Sequence, residues 1–405
     1  MYKRQILKLL ADRRGISQSL VKIKEENVTP VRNVEREKEL LNDLRAIAEE
    51  MNLDSYYVTS VFQSIIADSV HLQHQHIQDK LNEVKKVEIT KVAFLGSENS
   101  AGHLASQQYF DRKDSSCRFH SARSLTALCD AVELGTADYA LLPIENTISG
   151  AMNDSYEVLL RRRPAIIAEE RLHVSHSLVA RKDSDLTKIK KVISGPEDIR
   201  QCSLYIDHLD ADIVYSYDCG EALNKIVEAS DLELAAIVND RRAVPEGFVV
   251  LDSQIGNHKE NYTRYLVIAR KAIKVDGQVP CKTSMVLATG QEAGALSTVL
   301  SIFDSHSINL TKLESRPLAS NPWEEMFYVD FKGNVNSDSV KSALNEITKV
   351  VRFIKVLGCY PTRDIEAVDL LESGNTKKLS AESKEKIMAP VIKTCLLYTS
   401  PSPRD

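Results

Sequence analysis

The sequence has few of the features that mark disulfide-rich, metal-binding or membrane-spanning proteins. Its seven cysteines are scattered over 405 residues without a C-x-x-C pair, and its ten histidines show no metal-ligand spacing. No apolar run approaches the length of a transmembrane helix, and no secretory signal peptide is recognisable. We therefore expect reduced thiols, no metal, no other cofactor and a cytoplasmic location.

Strong charge of either sign is also missing. The 52 lysines and arginines nearly balance the 57 aspartates and glutamates, which leaves a net charge of −5. That charge is too small to favour nucleic acid or an anionic membrane as a partner, so an anionic substrate must be attracted by local cations. The composition, 43% hydrophobic and 27% charged, is that of an ordinary soluble globular protein. The length predicts about two or three domains.

Glycine and proline are almost absent from the first part of the chain. Residues 16–84 contain no glycine and one proline, Pro30, and their apolar residues recur with helical periodicity. Asn33 is positioned to cap a helix whose first turn carries Glu35 and Glu37. The pattern predicts a helical domain at 1–84 with helices at about 6–26, 33–50 and 54–84.

Short apolar strands alternate with helical segments at 89–273, which is typical of an α/β domain. The run 265–269 is apolar and rich in β-branched or aromatic side chains, so it predicts a strand buried on both faces. We expect a mainly parallel sheet built from VAFLG (92–96), YALLPIE (139–145), KVISGP (191–196), LAAIVND (234–240) and YTRYLVIAR (262–270).

The last third of the chain changes pattern twice. Residues 283–363 predict strand–helix–strand–strand–helix–strand, the βαββαβ order of a ferredoxin-like α+β unit. From 364 to 405 the polarity rises and the periodicity fades, so this segment is interpreted as a tail. Its last residues, CLLYTSPSPRD (395–405), resemble an artificial sequence and are expected to be non-native.

Two cations lie on one face of the first predicted helix. Arg13 and Lys24 are eleven residues apart, almost three helical turns, beside an apolar stripe. Cations on an apolar stripe are costly unless they are paired or bind an anion. On the third predicted helix, Ser69 and Gln73 are four residues apart and share a face. The pattern alone leaves two interpretations open, a solvated helical hairpin or coiled coil and an anion site.

This region resembles the all-helical chorismate mutase family. The resemblance is carried by LLADRR (9–14), VKIK (21–24), TPVRNVEREKELL (29–41) and FQSIIADSVHLQHQ (62–75). It implies an intertwined dimer that rearranges chorismate to prephenate, a reaction that needs a compact substrate conformer and charge stabilisation but no nucleophile. It implies that Lys24 and Gln73 are catalytic, at the breaking ether bond. The implied substrate-binding residues are Arg13, Lys24, Asn33, Arg36, Glu37, Ser69 and Gln73.

Three strand–loop–helix junctions in the α/β region carry hydroxyl and amide side chains, at 93–105, 141–154 and 191–206. Such junctions form anion sites, because the carboxyl ends of strands meet the amino ends of helices there. Each junction alone is a weak signal, because strand–loop–helix junctions normally carry such residues as caps. Their convergence with the stretch NYTRY (261–265) on one sheet edge would mark a binding site.

These stretches resemble the prephenate dehydratase family, chiefly through PIENT-x-SG (143–150) and the N-x-T-R-Y motif (261–265). The resemblance implies two α/β subdomains like those of periplasmic binding proteins, with the site in the cleft between them. It implies that Arg264 binds a substrate carboxylate and that Thr263 donates a hydrogen bond to the leaving hydroxyl. Prephenate, as it loses CO₂ and water to give phenylpyruvate, would be oriented by Asn146, Ser194 and Gln201.

Residues 290–300 and 310–331 resemble the ACT domain of the dehydratase family, which binds L-phenylalanine. The segment GAL starts a predicted helix, whose free N–H groups could bind the amino acid's carboxylate, and ESRP is expected to follow a strand. The resemblance implies feedback inhibition by L-phenylalanine and pairing of ACT domains between subunits. The implied ligand-binding residues are Gly294, Ala295, Leu296, Glu314, Ser315, Arg316 and Pro317.

The three resemblances, in this order, imply a bifunctional chorismate mutase–prephenate dehydratase that forms a homodimer or higher homo-oligomer. Two alternatives stay open. One is a dehydratase with a defective mutase domain, because the first helix lacks the cap and the additional arginine that the family carries near its start. The other is a non-catalytic phenylalanine sensor, because the loop at 97–102 departs from the family's G-P-x-G-[ST]-Y pattern while the ACT motifs are intact.

Overall fold

The computed structural model describes residues 2–26, 32–82, 89–111, 116–229, 231–318 and 321–362. Contacts between chain segments divide the chain into two units, residues 1–31 with 71–365 and residues 32–70 with 366–405. The tail expected at 364–405 lies outside the described residues. Among the helices in the described ranges, none is both long and apolar enough to cross a membrane.

The glycine-poor start of the chain forms the three predicted helices, α1 (Tyr2–Glu26), α2 (Val34–Glu50) and α3 (Ser55–Leu81). Asn33 caps α2, because its side-chain oxygen accepts a hydrogen bond of 3.0 Å from the Arg36 backbone N–H. Glu35 and Glu37 occupy the first turn, where carboxylates meet the positive end of the helix dipole. The predicted cap is therefore confirmed.

Residues 90–361 build three sheets and the helices that cover them. The strands are β1 (Thr90–Leu95), β2 (Cys117–Ala122), β3 (Tyr139–Asn146), β4 (Gly150–Ala151), β5 (Ala165–His173), β6 (Ser177–Arg181), β7 (Lys191–Ser194), β8 (Asp212–Tyr215), β9 (Leu234–Val238), β10 (Phe248–Ser253), β11 (Tyr262–Ala269), β12 (Cys281–Thr289), β13 (Leu310–Leu318), β14 (Asn321–Lys332) and β15 (Val351–Pro361). The helices are α4 (Ala101–Asp111), α5 (Leu125–Glu133), α6 (Asn153–Arg161), α7 (Pro196–Gln201), α8 (Ser203–Ile206), α9 (Cys219–Ala229), α10 (Ala295–Ser305) and α11 (Asp338–Val350).

The α/β region contains two mixed sheets. The first has the strand order β2-β1-β3-β11-β5, with β4 beside β3, and the second has the order β10-β6-β9-β7-β8. β1 runs parallel to β2 and β3, and β7 runs parallel to β8 and β9. The remaining pairings are antiparallel. The expectation of one mainly parallel sheet is wrong, because an apolar run reports the burial of a strand and carries no information on its direction.

β11 is the strand that begins in the NYTRY stretch. It lies between β3 and β5, and every residue from 263 to 269 is less than 10% exposed. Val267 belongs to a core shared with the second sheet, whereas Leu266 and Ile268 belong to a core shared with the third sheet. The predicted strand buried on both faces is confirmed, because β11 lies in a sheet that has a hydrophobic core on each face.

The third sheet has the order β13-β14-β12-β15 and carries α10 and α11 on one face. Its elements follow one another in the βαββαβ order predicted for 283–363. The other face packs on the first sheet, where Tyr328 shares a core with Leu266. Gly358 of β15 lies so close to β5 that an added Cβ would stand 2.1 Å from the Ile166 carbonyl oxygen. The first and third sheets are therefore in direct contact at their backbones.

Candidate active site

Asn146 and Thr263 face each other at the ends of two neighbouring strands. They are partners in the antiparallel pairing of β3 with β11, and the Asn146 amide donates a hydrogen bond of 3.0 Å to the Thr263 hydroxyl. Both side chains are buried. Because the hydroxyl oxygen accepts this bond, its own proton is available to a second partner.

A bulge in β3 sets the face that these side chains reach. The pairing with β11 shifts register between Arg264 and Tyr265, which leaves one extra residue, Ile144, in β3. An extra residue reverses the alternation of side chains along the rest of a strand. The bulge therefore brings Asn146 to the same face as Thr263.

Two further amides connect this pair to the second α/β subdomain, which is built on the second sheet. Asn261 accepts a hydrogen bond of 2.7 Å from Asn146 and donates one of 2.6 Å to Gln201, the last residue of α7. Gln201 in turn donates to Ser149 at 2.9 Å and to Glu197 at 2.5 Å. Because α7 packs on the second sheet, this amide network places the candidate site between the two subdomains.

Ser194 belongs to a neighbouring cluster around Asp198, outside the amide network. Its hydroxyl lies 3.5 Å from an Asp198 carboxylate oxygen, a long distance for a hydrogen bond. Asn239 donates to the same carboxylate at 2.7 Å, and the His176 ring lies 3.3 Å from it. The cluster connects α7 to the residue after β9. Ser194 is buried within this cluster, next to the amide network.

The loop after β1 is attached to the second subdomain. Ser97 donates to the Asp218 carboxylate from its hydroxyl and, at 2.7 Å, from its backbone N–H. Gly96 has a φ of 103°, and an added Cβ would lie 2.8 Å from the same carboxylate. An added Cβ on Gly220 would lie 2.2 Å from the Glu98 carbonyl oxygen. The loop that departs from the dehydratase pattern thus bridges the same two subdomains as the amide network.

Arg264 donates hydrogen bonds to four side chains of the protein. Its Nε donates to Glu169 at 2.8 Å, and its Nη2 donates to Tyr360 at 3.0 Å. Its Nη1 donates to Glu145 at 3.0 Å and to Asp330 at 2.8 Å. Burial alone would lower the pKa of Arg264, but Tyr360 and the three carboxylates raise it above its ordinary value.

These contacts limit the donors that Arg264 can offer to a substrate carboxylate. A guanidinium has five N–H donors, and four of them are already used within the protein. A substrate carboxylate could accept a hydrogen bond from the fifth donor, but a bidentate contact would have to break a buried ion pair, which is strongly unfavourable. The guanidinium is held between the first and third sheets, and its role as a carboxylate clamp stays a prediction.

A cavity of about 750 Å³ opens beside these ion pairs. Lys312 of β13 donates to the Glu145 carboxylate there. Burial would raise the pKa of Glu145, but the hydrogen bond from Lys312 and the charge of Arg264 hold it below its usual value. Glu145 is therefore ionised at neutral pH. The cavity is lined by Glu145, Asn146, Thr147, Arg171, Tyr262, Arg264, Lys282, Thr311 and Lys312.

The predicted mutase residues of the first and third helices differ in exposure. Arg13 is partly exposed on α1, and its Nε is buried without a hydrogen-bond partner among the described residues. The Lys24 side chain lies outside the described part of the chain. Ser69 and Gln73 are buried on α3, at 8% and 6% exposure. Their place in a mutase site stays a prediction.

The predicted mutase residues of the second helix lie at its amino end. Asn33 and Arg36 are exposed, with the Asn33 oxygen used as the cap. Arg32, which the sequence reading did not single out, donates to both Glu37 carboxylate oxygens, at 3.0 and 3.2 Å. The Glu37 carboxylate therefore already has a cationic partner.

The predicted phenylalanine-binding residues lie on two elements of the third-sheet unit. Gly294 caps α10 with a φ of 85°, so the expectation that GAL starts a helix is confirmed. The ESRP segment lies inside β13, not after a strand, because its pairing with β14 continues through it. Arg316 donates to Glu314 at 2.6 Å. Among the described residues, no hydrogen bond joins the two segments.

The sequence analysis did not identify the partners of Arg264. They lie 66 to 119 residues away along the chain, in strands of two different sheets. The available signal was a charged residue inside an apolar strand, as at Glu169 and Asp330, because such a charge must be paired when it is buried. Asn261, the first residue of the NYTRY stretch, was given no role of its own from the sequence and lies at the centre of the amide network.

Comparison with known sequences matches this chain to two families and to full-length relatives. The family described as prephenate dehydratase matches residues 92–273, and chorismate mutase type II matches residues 3–74. The bifunctional chorismate mutase/prephenate dehydratase of Escherichia coli strain K12 is 38% identical over 366 residues. That alignment covers 90% of this chain and 95% of the relative.

Two solved structures share the fold of about two thirds or more of this chain. The prephenate dehydratase of Arthrobacter aurescens, solved in complex with L-Phe, has a TM-score of 0.61 and 24% identity, covering 76% of this chain and 99% of that one. The prephenate dehydratase of Staphylococcus aureus subsp. aureus Mu50 has a TM-score of 0.58 and 25% identity, covering 67% and 100%.

Proposed function

Because the chain belongs to the family of bifunctional chorismate mutase/prephenate dehydratases, we propose that it catalyses two consecutive steps of L-phenylalanine biosynthesis. The helical region rearranges chorismate to prephenate, and the α/β region converts prephenate to phenylpyruvate. The observation that carries this proposal is the buried Asn146–Thr263 pair within the segment that matches the dehydratase family. The pair presents an oriented hydroxyl, which is the proton donor that departure of the ring hydroxyl requires.

Thr263 acts on the leaving hydroxyl of prephenate. When the ring carboxylate leaves as CO₂, the electron pair of the broken C–C bond enters the ring, and the ring expels the hydroxyl group. A hydrogen bond from Thr263 stabilises the negative charge that develops on this oxygen, which takes up a proton relayed from solvent through the Thr263 hydroxyl and leaves as water. Asn146 fixes the threonine oxygen, and Asn261 with Gln201 fixes Asn146.

The mutase reaction needs cations around a dicarboxylate. The buried Arg13 Nε without a partner among the described residues supports this role, because buried donors are almost always satisfied. A substrate carboxylate would satisfy it. We assign the ether oxygen to Lys24 and Gln73, and the remaining contacts of the substrate to Asn33, Arg36, Glu37 and Ser69.

The third-sheet unit, residues 283–363, is proposed to be an ACT domain that binds L-phenylalanine and inhibits the enzyme. Its βαββαβ order supports this assignment, as does the L-Phe bound to the Arthrobacter aurescens relative. The Arg316 Nε is buried without a partner among the described residues, so this side chain retains a donor for a ligand. The ligand-binding set is Gly294, Ala295, Leu296, Glu314, Ser315, Arg316 and Pro317.

The active form is proposed to be a homo-oligomer. On α1, Ile6, Leu9 and Ile16 are 58%, 63% and 61% exposed. Large apolar side chains repeated along one helix favour association with another surface. A second copy of the helical domain, residues 1–84, would cover them. The dehydratase domain is assigned to residues 89–273.

The test is an assay of the purified chain with chorismate and with prephenate, each with and without L-phenylalanine. We expect phenylpyruvate from both substrates and inhibition by phenylalanine. Turnover of prephenate alone would limit the function to the dehydratase. Turnover of neither substrate, together with a melting temperature raised by phenylalanine, would replace the enzyme with a phenylalanine sensor.

A further inference from the structure

Arg264 joins the strand of the catalytic threonine to the third sheet. Its guanidinium contacts Asp330 of β14 and Tyr360 of β15, whereas the preceding residue, Thr263, faces the other side of β11. Ser284 of β12 completes the link, with hydrogen bonds of 2.5 Å to Asp330 and 2.8 Å to Tyr360. Because Thr263 and Arg264 are covalent neighbours, a shift of the third sheet changes the position of the Thr263 hydroxyl.

Glu145 forms a second link, from β3. Its carboxylate accepts hydrogen bonds from Arg264, at 3.0 Å, and from Lys312 of β13. The next residue, Asn146, is the one that holds Thr263. Each member of the catalytic pair therefore has an adjacent residue that is ion-paired to the third sheet.

Lys312 shares a face of β13 with two of the proposed phenylalanine-binding residues. Residues 312, 314 and 316 point to one side, because side chains alternate along a strand. Tyr328 and Met326 of β14 lie opposite Glu314 and Arg316, and both belong to the core shared with the first sheet. A ligand that contacts Glu314 or Arg316 therefore lies on the same side of the third sheet as Lys312.

The Lys312 side chain has space and a second favourable position. The cavity of about 750 Å³ is lined by both Lys312 and Glu145. The Lys312 ammonium also lies 5.7 Å from the centre of the Tyr156 ring, within the range of a cation–π interaction. The ammonium can therefore move away from Glu145 towards this ring without losing all of its electrostatic stabilisation.

We infer that the Lys312–Glu145 ion pair transmits phenylalanine binding on β13 to the Asn146–Thr263 pair, with Arg264 as a fixed link between the sheets. This inference rests on the proposed function and names the route of its inhibition. Glu145, Arg264 and Lys312 are positioning residues. Ligand contact with Glu314 or Arg316 displaces Lys312, which changes the force on the Glu145 end of β3 and moves Asn146.

The test compares Lys312→Met with Lys312→Arg and with Lys341→Met, which removes an exposed lysine from α11 on the far face of the same unit. For Lys312→Met we expect the phenylalanine concentration for half-inhibition to rise roughly tenfold or more, a typical allosteric coupling. Phenylalanine binding, measured by calorimetry, should stay close to wild type. Uninhibited prephenate turnover should fall towards the phenylalanine-inhibited level of the wild type, because the variant lacks the ion pair that phenylalanine breaks. Lys312→Arg should keep inhibition, because a guanidinium can pair with Glu145.

Two results of this comparison would overturn the inference. One is inhibition of Lys312→Met at wild-type phenylalanine concentrations. The other is loss of calorimetric binding in Lys312→Met, because Lys312 would then belong to the ligand site. Lys341→Met should behave as wild type in every assay, and an equal loss of inhibition in that variant would also count against a specific role for Lys312.

Hydrogen exchange separates this inference from the proposed function. Phenylalanine should change the exchange of backbone amides in β3 and β11 in the wild type and in Lys341→Met, but not in Lys312→Met. If the wild type does not turn over prephenate, the proposed function fails, and the exchange experiment still decides the coupling. Exchange in β3 and β11 that is unchanged by phenylalanine in the wild type would refute it.

Discussion

The Asn146 amide donates a hydrogen bond of 3.0 Å to the Thr263 hydroxyl across a register position next to the β3 bulge. The bulge at Ile144 is the reason that the two side chains share a face. The same local geometry sends Glu145 and Arg264 to the opposite face, where they pair at 3.0 Å. One irregularity in one strand therefore separates the proposed chemistry from the contacts with the third sheet.

Replacing Thr263 by valine removes the hydroxyl and keeps the branched shape. We expect kcat for prephenate to fall by about 10²- to 10⁴-fold, the range for loss of a positioned proton donor, with a much smaller change in KM. Thr263→Ser keeps the hydroxyl and should retain most of the activity. Steady-state rates of phenylpyruvate formation measure both variants. A valine variant as active as wild type would remove Thr263 from the mechanism.

Asn146→Asp tests the amide donor without removing the acceptor. The Asn146 oxygen accepts from the backbone N–H groups of Ile148 and Ser149, at 2.9 and 3.0 Å, and a carboxylate can do the same. A carboxylate cannot donate to Thr263, so dehydratase kcat should fall roughly 10- to 100-fold, as for a lost hydrogen bond. Chorismate turnover in the same preparation is the internal control. If both activities fall together, misfolding and not the lost donor is responsible.

Arg264→Met leaves buried carboxylates without their cation. Glu169 is 2% exposed and Asp330 is 9% exposed, so removing the guanidinium should reduce the free energy of unfolding by about 3–5 kcal/mol. Arg171→Met is the matched control, because its side chain is 49% exposed and lies 3.9 Å from Glu169. We expect about 0–1 kcal/mol for the control. Urea unfolding followed by circular dichroism measures both, and equal midpoints would contradict the buried network.

Acid should lower the stability of the folded protein, partly by protonating Glu145. Burial would raise its pKa, but the hydrogen bond from Lys312 and the charge of Arg264 hold the pKa below its ordinary value of 4.5. A carboxyl with a lowered folded pKa contributes stability that is complete above its unfolded pKa and is lost as pH falls through the folded pKa. The wild-type Tm should therefore decline more steeply than that of Glu145→Gln below about pH 4.5. Thermal melts from neutral to acidic pH test this, and parallel declines would exclude Glu145 as the responsible group.

Gly358→Ala tests the contact between the first and third sheets. The added Cβ would stand 2.1 Å from the Ile166 carbonyl oxygen, so the backbones must separate, and we expect a loss of about 1–3 kcal/mol in the free energy of unfolding. Gly277→Ala is the control, because nothing lies within 4 Å of its added Cβ. Differential scanning calorimetry should show a lower Tm for Gly358→Ala only. Equal melting temperatures would contradict the close contact between Gly358 and β5.

The sequence by itself determined the features whose causes are local. Helical periodicity, the scarcity of glycine and the Asn33 cap were sufficient for the three helices. The apolar run at 265–269 was sufficient for a strand buried on both faces. The spacing of apolar residues was also sufficient to predict the βαββαβ order. This spacing depends only on which faces of a short segment are apolar.

Tertiary structure decided the features that depend on distant pairing. The direction of the strands, the bulge at Ile144 and the placing of Asn261 in the amide network all follow from which strands meet. The partners of Arg264 were hidden for the same reason, because all four lie 66 to 119 residues away. A charged side chain in a strand has the same sequence signature whether it meets a substrate or a buried carboxylate. Only the packing of one sheet on another shows which of the two it meets.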